Sequence, residues 1–122
     1  MRILVLLATL TLAAPLGAHE LAKGPNGGKV VDVAGHHLEF VPSVSEITIY
    51  ATDEADKPIA TEGSKGRAVI QNAGKTSQKD LKPVEPNKFV GKLDAPLIPG
   101  AVAVISITFS DGHAAQGRFT VD

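Results

Sequence analysis

The sequence contains no cysteine and no tryptophan, and its one methionine is the first residue. Without cysteine the chain can form neither a disulfide nor a thiolate metal site, and thiol chemistry is excluded. Long basic runs are also missing, since 12 lysines and arginines stand against 13 aspartates and glutamates, for a formal net charge of −1. Because clustered basic residues are what bind phosphate backbones, this composition argues against a nucleic-acid partner.

Motifs of the common enzyme classes are missing as well. The sequence has no Gly-x-Ser-x-Gly elbow, no Walker phosphate loop, no His-Glu-x-x-His helix and no dinucleotide fingerprint. The glycines of segment 63–66 (Gly-Ser-Lys-Gly) suit a turn, but they lack the spacing of a phosphate loop. Since function is carried by a site rather than by a fold, we expect a protein that is not an enzyme.

The N-terminus has the pattern of a secretory signal peptide. Arg2 is followed by an almost wholly apolar stretch that ends in small residues up to Ala18. This stretch contains Pro15 and is shorter than the about 20 apolar residues of a membrane-spanning helix. We therefore predict that residues 1–18 are cleaved and that residues 19–122 form a single periplasmic or secreted domain without a membrane anchor. A retained anchor and a buried helix are the alternatives.

Apolar and polar residues alternate repeatedly along the mature chain, as is typical of β-strands. In segment 46–52, for example, Ile47 and Ile49 fall on one face. Further alternating runs cover residues 67–71, 87–93, 101–109 and 113–121. Turn signals separate the runs, and the sharpest, Asp111-Gly112, predicts a two-residue hairpin loop. We predict an all-β fold, an Ig-like antiparallel β-sandwich of about seven or eight short strands.

Two of the four histidines are adjacent, in a predicted strand that also contains a carboxylate. Alternate side chains of a strand share a face, so His37 and Glu39 should lie together. We expect this pair to point toward solvent, where both side chains could reach one cation, and His36 to lie with Phe40 at the inner rim of the core. The alternative is that the histidines are only polar residues beside a turn at Gly35, since histidine is common both as a metal ligand and on surfaces.

A mature chain that begins with His19 would have a chelating group at its N-terminus. The free α-amine and the imidazole of this residue could close one chelate ring on a soft or borderline cation. The turn at Asp111 and His113 would bring a carboxylate and a second imidazole to one end of the sandwich. Because His113 has the parity of Phe119, we expect it to lean toward the mouth of the sandwich. The alternative is an Asp-Gly hairpin with an incidental histidine.

The end of the chain resembles a known family. Segment 110–113 (Ser-Asp-Gly-His), followed by segment 117–121 (Gly-Arg-Phe-Thr-Val), is similar to the closing hairpin of the CopC-like periplasmic copper-resistance carriers. Those are small exported β-sandwiches whose mature chain starts with histidine. The resemblance implies a Cu(II) site formed by the amine and imidazole of His19 together with Asp111 and His113. The middle of the chain departs from this pattern, because it has no methionine-rich cuprous segment.

A second resemblance lies in the first half of the chain. Segments 24–28 (Gly-Pro-Asn-Gly-Gly) and 35–41 (Gly-His-His-Leu-Glu-Phe-Val) look like small periplasmic domains that accompany heavy-metal efflux systems, including segments near the adaptor subunits of the pumps. This resemblance implies an association with metal handling, with His37 and Glu39 as the candidate residues. The two resemblances agree on compartment and metal but differ on the site.

The available donors point to a divalent metal. Amine, imidazole and carboxylate groups suit Cu(II) in a tetragonal site, Zn(II) fits next, and the lack of thiolate and thioether ligands disfavours Cu(I). We expect an exported carrier, buffer or efflux accessory whose partner is an efflux adaptor or another envelope protein. The alternative is a non-metal β-sandwich module that docks onto an envelope transport component by strand addition. Its candidate surface is the polar stretch 75–82, which lies within the lysine-rich segment 72–85. We predict that segment 72–85 is an exposed hairpin or edge.

Overall fold

The structure is a computed structural model that describes residues 19–21, as backbone only, and residues 23–122. The predicted signal peptide therefore lies outside the described residues. Within the described residues, no helix is long and apolar enough to cross a membrane. The described strands are β1 (His19–Leu21), β2 (Lys29–Val33), β3 (His36–Pro42), β4 (Glu46–Asp53), β5 (Lys65–Asn72), β6 (Lys75–Val84), β7 (Lys88–Lys92), β8 (Val102–Thr108) and β9 (Ala114–Thr120).

All strand pairs are antiparallel, in the order β1-β2-β3-β4-β7-β6-β5-β8-β9. The long strand β6 joins two layers, because its first part pairs with β5 and its last residues pair with β7. At the other end of the order, β9 packs beside β2 and β3, so the sheet nearly closes on itself. The predicted all-β antiparallel fold is confirmed, with nine strands in the described part of the chain rather than seven or eight.

The core lies between the layers and follows the alternation read from the sequence. Ile47 and Ile49 of β4 are fully buried, and they belong to the same cluster as Ile105 of β8 from the other layer. Phe40 of β3 stacks on Phe119 of β9, with ring centroids 4.9 Å apart. Fully burying each such side chain contributes about 1.5–3 kcal/mol, so these faces hold the layers together.

The connection between β8 and β9 differs from the predicted two-residue loop. The N–H of Phe109 donates to the carbonyl of His113 at 2.8 Å, and the N–H of Gly112 donates to the carbonyl of Phe109 at 2.9 Å. The loop therefore has three residues, 110–112, and Gly112 alone among them has a positive φ, of 91°. A positive φ at the last loop position is the usual geometry of three-residue hairpins, so the two-residue prediction is wrong.

Segment 72–85 contains the turn and the second strand of a hairpin whose first strand is β5, so the hairpin expected there is confirmed. Its turn is Ala73-Gly74, where both residues have positive φ, and most of the side chains that follow are exposed or half-buried. Residues 75–81 of β6 pair with β5 alone among the described strands, and residues 82–84 pair with β7. Strand addition needs free N–H and C=O groups along an edge, and the side of residues 75–81 away from β5 has no strand partner among the described residues, so docking there stays a prediction.

Candidate metal centre

The adjacent residues His36 and His37 lie near the start of β3, directly after the tight turn Ala34-Gly35. Both turn residues have positive φ, 50° and 83°, and Val33 pairs with His36 across the turn. Alternation along β3 then puts His36 on the inner face and His37 on the outer face. Each histidine belongs to a different side-chain group. The inner group is His36, Asp111 and His113, and the outer group is Asp32, His37 and Asp56.

The inner group is assembled from two distant parts of the chain. The ring of His36 stacks on Phe109, with centroids 4.8 Å apart and planes inclined by 16°. The ring of His113 lies beside it, at a centroid distance of 6.0 Å. His36 thus lies at the inner rim, as expected, and His113 at the end of the sandwich next to it. This convergence of β3 with the β8–β9 loop is set by long-range packing, which local sequence patterns do not encode.

Asp111 is committed to His113 through both of its carboxylate oxygens. The backbone N–H of His113 donates to Oδ1 at 2.9 Å, and Nδ1 of the imidazole lies 2.7 Å from Oδ2. The backbone hydrogen bond, then the side-chain one, holds the pKa of Asp111 below its ordinary value of 3.8. When Nδ1 carries the proton of this bond, Nε2 keeps its lone pair for another partner. Carboxylates orient metal-binding histidines in the same way.

His36 carries an unsatisfied polar atom. Its Nδ1 is buried and has no hydrogen-bond partner among the residues that the structure describes. A buried donor or acceptor without a partner costs about 1–3 kcal/mol, so an ion or another polar partner at this nitrogen would be stabilising. The stack on Phe109 holds the plane of this ring in place.

The outer group gathers two carboxylates around His37. Asp32 lies directly opposite His37 in the β2–β3 register. The Asp32 carboxylate accepts the N–H of Gly35 through Oδ1 at 3.2 Å, and its Oδ2 lies 3.8 Å from Nε2 of His37. On the other side of the ring, Oδ1 of Asp56 lies 3.1 Å from Nδ1.

Asp56 reaches His37 because of the fold of the loop after β4. The carboxylate of Asp53 accepts the N–H groups of Ala55 and Lys57, both at 2.9 Å, and so closes the loop. Asp56 adopts a φ of 60° at the tip of this loop. Neither carboxylate of the outer group was among the sequence candidates. The two-residue turn after Val33 sets the strand register, so it could have placed Asp32 opposite His37. Nothing local in the sequence points to Asp56.

Glu39 is buried rather than exposed, so the expectation that it points to solvent is wrong. The residue is 4% exposed, and its carboxylate accepts the N–H groups of Asn26 and Gly28 at 2.9 and 2.8 Å and the side-chain amide of Asn26 at 3.0 Å. The loop before β2 folds over the outer face, and its N–H groups need an acceptor there. With both oxygens engaged, this carboxylate is occupied in holding the loop, which favours a structural role.

This loop explains the Gly-Pro-Asn-Gly-Gly motif of segment 24–28. A Cβ on Gly24 would lie 2.4 Å from Cδ of Glu39, and one on Gly28 would lie 2.3 Å from the carbonyl oxygen of Phe40. Both positions therefore need glycine for close approach. The seated loop forms one wall of a groove of about 710 Å³ on the outer face, into which His37 and Asp56 also project.

The backbone of His19 pairs with Asp32, which in turn pairs with His37. The three residues therefore occupy one row across β1, β2 and β3. The side chain of His19 lies outside the described residues, so its grouping with Asp111 and His113 stays a prediction.

Among residues 23–122, no three or more histidine, aspartate or glutamate side chains are arranged to hold one ion. The inner and outer groups therefore each supply fewer than three ready ligands, and water or residues beyond the described ones would complete a coordination shell. Comparisons with protein-family models, curated proteins and solved structures give no match for this chain. The function is therefore argued from the site itself.

Proposed function

We propose that the protein is an exported binding protein for a divalent transition metal, Cu(II) in first place and Zn(II) in second, and that His36 and His113 hold the ion. The observation that carries this proposal is the buried, unpartnered Nδ1 of His36 in a ring 6.0 Å from that of His113. A metal ion supplies the partner that this nitrogen lacks. In this arrangement Asp111 orients His113 instead of binding the metal directly.

The separation of the two rings supports a shared ion. With metal–nitrogen bonds of about 2.0–2.1 Å, two imidazoles on one ion have ring centroids no more than roughly 6.5 Å apart. The distance of 6.0 Å falls within this limit. The His113 side chain is 70% exposed, so it can adjust to the ion while the stacked ring of His36 stays in place.

The exposure of the site supports a carrier or buffer role. Nδ1 of His36 is buried and the His113 side chain faces solvent, so the ion would remain accessible to a partner's ligands. Structural metal sites are closed by protein ligands, so an accessible ion of this kind suits exchange better than a structural role. The signal-peptide pattern supports export, and the two sequence resemblances support a role as an accessory to heavy-metal resistance or efflux. The partner in this proposal is an efflux adaptor or another envelope protein.

The experiment is a calorimetric titration of the mature chain, residues 19–122, with Cu(II) at neutral pH. We expect His113→Ala and His36→Phe each to weaken binding tenfold or more, since each removes one of the two imidazoles, and the phenylalanine keeps the stack on Phe109. Asp111→Asn should cost about 10–100-fold, as is usual when an orienting carboxylate is removed.

Asp94→Asn is the matched control, because it removes an exposed carboxylate that pairs with Lys79 and lies outside both histidine groups. Unchanged affinity in both histidine variants would contradict the site. A chain that binds neither Cu(II) nor Zn(II) would contradict the proposed function and favour the docking module.

A further inference from the structure

The outer group contains a contact that ordinary hydrogen bonding does not explain. Nε2 of His37 and Oδ2 of Asp32 face each other at 3.8 Å, which is too long for a hydrogen bond. The other atoms of both side chains are already engaged, because Nδ1 of His37 contacts Asp56 and Oδ1 of Asp32 accepts the N–H of Gly35. The gap therefore lies between two side chains whose other polar atoms are held by hydrogen bonds.

The hydrogen-bonding roles of the two His37 nitrogens decide which atoms face each other across this gap. A neutral imidazole that donates from Nδ1 to Asp56 has a lone pair on Nε2. That lone pair then faces a carboxylate oxygen, and two acceptors repel each other unless a cation lies between them. An imidazolium ion is the other solution, since both nitrogens would then be donors. In the neutral form, a cation in the gap would take both the nitrogen lone pair and the carboxylate oxygen as ligands.

The distance fits a bridging ion. Metal–nitrogen and metal–oxygen bonds are each about 2.0–2.2 Å, so a nitrogen and an oxygen on one ion lie at most roughly 4.4 Å apart. The separation of 3.8 Å is inside this span. The His37 side chain is 15% exposed and Asp32 is 34% exposed, so the gap is partly sheltered but still open to solvent.

We propose that His37 and Asp32 form a second site for a divalent transition metal, on the opposite face of β3 from His36, with Asp56 orienting His37. This arrangement repeats the chemistry of the inner group, where Asp111 contacts Nδ1 of His113. The groove beside His37 gives the ion an entry path. The second site does not depend on the inner group, because its two ligands and its orienting carboxylate are not part of that group.

The test uses the fact that the chain has four histidines. The mature chain with His19→Ser, His36→Phe and His113→Ala keeps His37 as its sole imidazole. We expect Zn(II) at pH 7.5 to give a saturable shift of the Nε2 resonance of His37 in long-range ¹H–¹⁵N NMR spectra. In this background, Asp32→Asn should weaken Zn(II) binding tenfold or more, and Asp56→Asn should weaken it and change the tautomer ratio of His37.

Glu54→Gln is the matched control, since it removes a negative charge from the same loop and has no hydrogen bond to His37. An Nε2 resonance that does not move, or an affinity that Asp32→Asn leaves unchanged, would overturn the second site. If the triple variant does not fold, the same resonance is followed in the wild-type mature chain, where it must shift with Zn(II) and lose this response in Asp32→Asn. Failure of the inner site alone leaves these results unaffected, so the two proposals are tested separately.

Discussion

His113 and His37 each have Nδ1 beside an aspartate carboxylate, Asp111 at 2.7 Å and Asp56 at 3.1 Å. Both aspartates lie in loops, whereas His37 lies in β3 and His113 directly precedes β9. At the scale of single residues, a loop carboxylate therefore selects which imidazole nitrogen is free. This selection can be changed by substitution in a loop without disturbing the buried core.

The buried carboxylate of Glu39 gives the first prediction at this scale. Glu39→Ala leaves the N–H groups of Asn26 and Gly28 without their acceptor, and we expect the free energy of unfolding to fall by about 3 kcal/mol, since hydrogen bonds to charged groups contribute about 1.5–3 kcal/mol each. Glu39→Gln keeps one acceptor oxygen and should cost about half as much. Urea denaturation measures both.

The same variants separate a structural role from a metal-binding one. Folded Glu39→Gln should bind Cu(II) as tightly as the wild-type chain in the calorimetric titration. A stable Glu39→Gln protein with weakened Cu(II) binding would instead make Glu39 a ligand, as the sequence suggested.

The residue candidates show what local reasoning can and cannot supply. Strand alternation correctly placed His36 with Phe40 on the inner face, because this placement depends only on parity. It could not show that Glu39 is covered, since the covering loop comes from residues 24–28, and parity says nothing about what lies above a face. Nor could it bring His36 to His113, which depends on how distant strands pack.

At the scale of elements, substitutions at two neighbouring glycines test whether the loop before β2 packs against the backbone of Phe40. A Cβ on Gly28 would lie 2.3 Å from the carbonyl oxygen of Phe40, and backbone atoms cannot move aside as a side chain can. We expect Gly28→Ala to lower the free energy of unfolding by about 3 kcal/mol, at the upper end of overpacking costs. Thermal and urea denaturation measure the change.

Gly27→Ala is the control within the same loop. This glycine has a φ of 78° and open space around its Cβ position, so alanine should cost only the about 1 kcal/mol of a left-handed backbone. Equal costs at the two positions would show that the loop does not sit against Phe40 as described.

Most strands could be predicted because each buries one face, which produces an alternating pattern. The loops were harder, since the hydrogen bond from the N–H of His113 to Asp111 favours a three-residue turn over the two-residue form that Asp-Gly usually indicates. The lysine-rich strand β6 looked like an edge because its side chains are polar. Residues 75–81 of this strand do pair with β5 alone among the described strands, and only residues 82–84 pair with β7, so the polar side chains marked a partly unpaired strand.

At the scale of the whole molecule, Lys29 ties β2 to the end of β9. Its ammonium donates to the carbonyl of Thr120 at 2.6 Å and to the carboxylate of Asp122 at 2.7 Å. The hydrogen bond from Lys29 and its positive charge hold the pKa of Asp122 below its ordinary value of 3.8. We expect Lys29→Met to raise this pKa toward the ordinary value, as measured by NMR titration of the carboxyl carbon.

The sign of the pH dependence follows from the lowered pKa. A carboxyl group whose pKa is depressed by folding contributes stability above pH 3.8, and the contribution is lost as the pH falls through the folded-state pKa. The stability difference between wild type and Lys29→Met should therefore shrink in acid, and it should be small throughout, because the pair is solvent-exposed. Lys79→Met, which breaks a comparable pair with Asp94, should leave the pKa of Asp122 unchanged.

The fold class could be predicted, whereas the strand order could not. Neighbouring runs with a turn between them indicate hairpins, and β2–β3, β3–β4, β5–β6 and β8–β9 are such pairs. The pairing of β4 with β7 and of β5 with β8 joins strands that are distant in sequence. These pairings follow from how all the apolar faces fit together, which no single segment specifies.

This division between local and distant pairs has a kinetic consequence. Hairpins close short loops and form within microseconds, whereas pairing strands across a long intervening chain requires a larger loss of chain entropy. We expect the rate-limiting barrier to contain the meeting of Ile49 with Phe89 and of Ala68 with Ile105, the register partners at these two junctions. The two layers should thus pack together late in folding, after the hairpins that carry His36 and His113 have formed.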